Sequence, residues 1–88
     1  MLETNGKYSA ALALHALGWI LADDKRAERM LSLTGLTPDG LRRAVSEPAL
    51  QAAILRFLES YEPDLVACAE DLAVRPEALV VARRELEA

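Results

Sequence analysis

Prolines stand at 38, 48, 63 and 76, and each follows a polar or charged residue: Thr37-Pro38, Glu47-Pro48, Glu62-Pro63 and Arg75-Pro76. Inside a helix, proline removes a backbone donor and clashes with the turn before it. In the first turn it does neither. Between these points apolar residues recur three and four apart. The chain is therefore constrained to a series of short helices, each restarted by a proline corner, with no long helix beyond residue 38. Composition agrees. Leu and Ala supply 32 of 88 residues, whereas Val, Ile and Thr together supply ten, which favours helix over sheet. A chain of this length makes one domain. The expected fold is all-α, a compact bundle of five to six short helices with helix-turn-helix-like corners. Residues 1–8 are expected to be a flexible N-terminus and residues 9–88 a single helical domain.

The first helix is expected from Ser9 to Ala22, with Ser9 as its cap. Ala10, Ala13, Leu14, Leu17, Ile20 and Leu21 form its stripe, widened by Ala16 and Trp19. The apolar run from Ala10 to Ala22 holds His15 and Gly18 and is shorter than the about 20 residues of a membrane span. No small-x-small cleavage site follows it before the charged run Asp23–Arg26, so it reads as a buried helix rather than a secretory leader. This helix is expected to be the least exposed element, with Leu17 in the core.

Asp23 or Asp24 caps a second helix running to about Leu33, with Ala27, Met30 and Leu31 inward and Gly35 as its left-handed stop. Thr37 and Pro38 open a third, to about Val45, with Leu41, Ala44 and Val45 inward and Arg42 and Arg43 on the other side. In the fourth, Leu50, Ala53, Ile54, Phe57, Leu58 and Tyr61 make the clearest amphipathic pattern. Leu65, Val66, Ala69, Leu72 and Ala73 line the fifth. Leu79, Val80, Ala82, Arg83 and Leu86 line the sixth. Gly35-Leu36-Thr37-Pro38 is echoed by Ala73-Val74-Arg75-Pro76, as two corners built alike would be.

Ten basic residues face fourteen acidic ones, a net charge of −4, and the excess lies in residues 45–88. Such a surface repels phosphate, so broad capture of nucleic acid is not expected. One Cys and one His cannot close a zinc or iron–sulfur site, and the four glycines are isolated rather than gathered in a phosphate loop. His15 is expected to be partly buried with one hydrogen bond, and Cys68 to be a buried, inert thiol. Glu59, Glu62, Asp64, Glu70 and Asp71 read as caps and a solvated face. A single cysteine fits a reducing compartment. No cofactor, metal, membrane or catalytic residue is expected, and the chain reads as a non-enzyme.

Ala16-Leu17-Gly18-Trp19-Ile20-Leu21-Ala22, then Leu33-Thr34-Gly35-Leu36-Thr37-Pro38-Asp39-Gly40-Leu41-Arg42, then the leucines of the fourth helix, Glu62, Pro76-Glu77, Ala82-Arg83 and Leu86 resemble the DUF3572 family from about Ser9 to Leu86. The resemblance implies a small bacterial cytoplasmic protein, mainly alphaproteobacterial, and brings no activity or catalytic residue with it. The function expected is a protein-interaction or adaptor module, with Trp19, Arg42, Arg43 and Tyr61 as contact residues, since Trp, Tyr and Arg favour interface hot spots. The alternative is a DNA-binding helix-turn-helix over residues 65–86, with Arg75, Arg83 and Arg84 toward phosphates and Glu77 as its electrostatic obstacle.

Overall fold

The computed structural model describes residues 2–88, with side chains from Lys7 onward. Six helices follow one another: α1 (Leu2–Leu21), α2 (Asp24–Thr34), α3 (Pro38–Ala44), α4 (Pro48–Glu59), α5 (Glu62–Asp71) and α6 (Pro76–Glu87). No strand occurs among the described residues. Each of α3 to α6 opens with its proline in the first two helical positions. Asp23 accepts the Arg26 amide at 3.0 Å and Thr37 accepts that of Gly40 at 3.0 Å, so two of the starts also have side-chain caps.

The two proline corners that resemble each other in sequence share a backbone device. Gly35 (φ 74°) and Ala73 (φ 59°) both turn left-handed just after a helix. The Gly35 amide donates to the Leu31 carbonyl, while Ala73 and Val74 donate to Glu70 and Ala69. Leu36 and Val74 then fold back, half-buried, against the core.

Helices α1, α4 and α6 form the centre, with α5 on α4 and α6, and α2 on α1 and α4. The core gathers Leu12, Ala13, Ala16, Leu17 and Ile20 from α1, Ile54, Leu55 and Leu58 from α4, and Leu79 and Ala82 from α6. The molecule measures 36 × 27 × 17 Å. Its thin dimension holds two layers of helices at the usual 8–10 Å spacing. In such a slab most helices keep one side open.

That geometry corrects several expectations. The most enclosed helix is α4, not α1: seven of its twelve residues are buried, including Leu55 and Ala52, which lie off the expected stripe. Leu17 is buried as expected, but α1 is turned so that Leu12 faces in while Leu14 and Leu21 stay 39% and 42% exposed. Helix α1 also begins at Leu2 rather than Ser9, so residues 2–8, expected as a flexible lead, are helical, and Met1 lies outside the described residues. Ser9 is no cap. It is buried mid-helix, and its hydroxyl donates to the Glu85 carboxylate on α6. Tyr61, Val66 and Ala73, expected inward, are exposed. Tyr61 is the residue before α5, where the chain has already left the α4 stripe.

Candidate interaction surfaces

The residues expected to make contacts separate into three environments. Trp19 is fixed inside the molecule's own framework. Its indole N–H donates to Asp71 Oδ2 at 2.6 Å, and the Arg26 guanidinium lies 3.7 Å from the ring centroid. Arg26 also donates to the Trp19 carbonyl, so this cluster ties α1, α2 and α5 together and leaves Trp19 little to offer a partner.

Tyr61 stands 53% exposed beside Leu33, Ser60 and Arg29 in a shallow depression. Arg29 is held there by Asp64 at 2.7 Å and lies over the rings of Phe57 and Tyr61.

Arg42 and Arg43 are exposed on α3. Arg42 pairs with Asp39 at 2.7 Å, with both side chains more than two-thirds exposed, a pair worth little in stability. Arg42 is exposed, in keeping with its expected place opposite the inward residues of α3. With Leu17, Leu21, Leu31, Pro38, Leu41 and Val45 it lines a groove between α1, α2 and α3. The groove is about 270 Å³, below the roughly 300–1,000 Å³ of small-molecule sites. It suits one or two side chains.

The arginines of the DNA-binding alternative do not act as a set. Arg83 is consumed within the protein: Nε and one terminal nitrogen grip Glu59 at 2.8 and 2.9 Å, and the other terminal nitrogen reaches Glu87 at 3.1 Å. Arg56 holds the same Glu87, at 2.5 and 2.9 Å. These hydrogen bonds raise the Arg83 and Arg56 pKa values, and Arg56 first, then Arg83, hold the Glu87 carboxyl below its ordinary range. Arg75 is exposed and lies 3.9 Å from Glu77. Arg84 is exposed, but the open side of α6 also presents Glu77, Val81, Glu85 and Glu87. Helix α6 packs on α1, α4 and α5 rather than projecting from the fold.

The acidic residues serve as anchors for partners the sequence does not reveal: Glu59 for Arg83, Asp64 for Arg29 and Asp71 for Trp19. No group of three potential metal ligands converges among the described residues. His15 is exposed, not partly buried, and makes no hydrogen bond among the described residues, because α1 turns that side outward. Cys68 is fully buried and unpaired, and burial pushes its thiol up to about 11. It is therefore a neutral core side chain at ordinary pH. No described helix is long and apolar enough to cross a membrane.

The family model for DUF3572, a protein family of unknown function, matches residues 7–88. The chain belongs to that family. The match takes in α1 from Lys7 onward, the other five helices, both proline corners and the groove, so these features lie within the DUF3572 domain. No curated protein and no solved structure shows significant similarity to the chain.

Proposed function

We propose that this DUF3572 protein is a non-enzymatic protein-interaction module, and that the α1–α2–α3 groove is its contact site. The observation that carries this reading is the groove itself: exposed Leu21 and Pro38 and half-buried Leu31 and Val45 stand over a floor of buried Leu17 and Leu41, beside Arg42 and next in sequence to the exposed Arg43. The matching partner segment presents a large apolar side chain for the groove, flanked by Asp or Glu to meet the arginines. Aliphatic burial supplies affinity, and the rim charges orient the segment and speed encounter. The reading includes a reducing cytoplasmic setting, supported by the buried, unpaired Cys68.

Selection from a displayed random-peptide library tests it. Enriched peptides should carry a large apolar residue next to an acidic one. Their affinity should fall at least about tenfold, or about 1.4 kcal/mol, for the Arg42→Glu/Arg43→Glu variant. Peptides that bind both proteins equally, or no enrichment above background, would overturn the assignment.

A further inference from the structure

Between Tyr8 and Ala22 the sequence of α1 contains no formally charged residue, in a chain where 27% of residues are charged. A helix of that composition is normally covered all round. This one is not. Ala11, Leu14, His15, Gly18, Leu21 and Ala22 are all exposed. Ala11, Leu14, Gly18 and Leu21 are spaced three, four and three apart, the spacing of a coiled-coil seam that faces a neighbouring helix.

Gly18 gives a second, independent indication. Within a helix, glycine costs roughly 0.5–1 kcal/mol relative to alanine. It is retained usefully where φ is positive or where another group approaches closely. Gly18 is not among the positive-φ residues. A methyl group built on it would meet no atom of another element within 4 Å. Nothing among the described residues uses the missing side chain. A helix packed on the open side would.

We propose that a second copy of this chain covers the open side of α1, with the two α1 helices antiparallel about a two-fold axis level with Ala16. The seam is self-complementary in that register. Leu14 faces Gly18 of the other copy, and Leu21 faces its Ala11, so each leucine meets a small residue in all four layers. A parallel arrangement in register sets Leu against Leu and leaves gaps at Ala11 and Gly18. Opposed helix dipoles also favour the antiparallel pair. The seam adjoins the groove at Leu21 but does not depend on it, so this proposal stands apart from the groove reading. Four layers of one helix pair cover less than the about 1,200–2,000 Å² of a standard interface. The dimer should accordingly be a micromolar one.

Sedimentation equilibrium of the full chain from about 5 to 200 µM tests this, with circular dichroism as the check on folding. The wild type should shift from monomer to dimer over that range. Gly18 is exposed and a Cβ built on it meets nothing within 4 Å, and Gly18→Leu puts a better helix former in place of glycine. It should stay folded and monomeric, because two leucines now oppose each other. Leu14→Ala/Gly18→Leu restores a large–small pairing and should recover dimer formation. A wild type that is monomeric throughout would overturn the proposal, as would a Gly18→Leu protein that dimerises like the wild type. A double variant without recovery would overturn the antiparallel register.

Discussion

Ala73 holds a left-handed backbone that glycine holds at the matching corner, Gly35. For a residue with a Cβ this conformation costs about 1–2 kcal/mol. Glycine there gives back part of that through its greater freedom in the unfolded chain. Ala73 is exposed, so its methyl group contributes little packing in return. Ala73→Gly should therefore stabilise the protein by about 0.5–1 kcal/mol in denaturant melts, and a lower midpoint would show that the Ala73 side chain packs more than its exposure implies. The similarity of the two corners is visible in sequence through Pro38 and Pro76 and the apolar residues Leu36 and Val74. The left-handed turn at Ala73 is less so, because alanine does not announce a positive φ as glycine does.

At the scale of elements, helix starts are legible because prolines and the Asp23 and Thr37 caps act locally. The facing of α1 is not. When nearly every side of a helix is apolar, periodicity cannot say which side turns inward, and the neighbours decide. Here the contacts of Ser9 with Glu85 and the small Ala13 and Ala16 set α1 against its neighbours and leave Leu14 outside. Long-range ion pairs are equally hidden in sequence. Arg56, Arg83, Glu59 and Glu87 bind the last turns of α4 and α6 together, and only the Arg83–Glu87 spacing of four hints at it. Because the Glu87 pKa is lowered in the folded state, its contribution is present above the ordinary carboxylate value of about 4.3. It is lost as pH falls through the lower folded value. Glu87→Gln should thus show a shallower decline in melting temperature than the wild type between about pH 5 and pH 2. Identical acid profiles would mean that the pair adds nothing to folding stability.

The whole molecule is a slab two helices thick, and this thickness governs which sides of its helices stay open. It encloses α4, leaves one side of α1 and the groove beside α3 uncovered, and sinks α6 among three neighbours. Arg42, picked out by residue type, borders an apolar groove that Arg43 does not line; Trp19, picked out by the same rule, is taken up by Asp71 and Arg26. Residue type identifies what can form a contact, and only the packing decides which side chains remain free to do so. The proposed self-association places the contact on the α1 side of the slab rather than at the Arg75–Arg84 corner. A dilution series of amide spectra from the ¹⁵N-labelled protein maps this residue by residue. Concentration-dependent shifts should centre on Ala11, Leu14, His15, Gly18 and Leu21. Shifts centred on Arg75 to Arg84, or none up to about 200 µM, would contradict it.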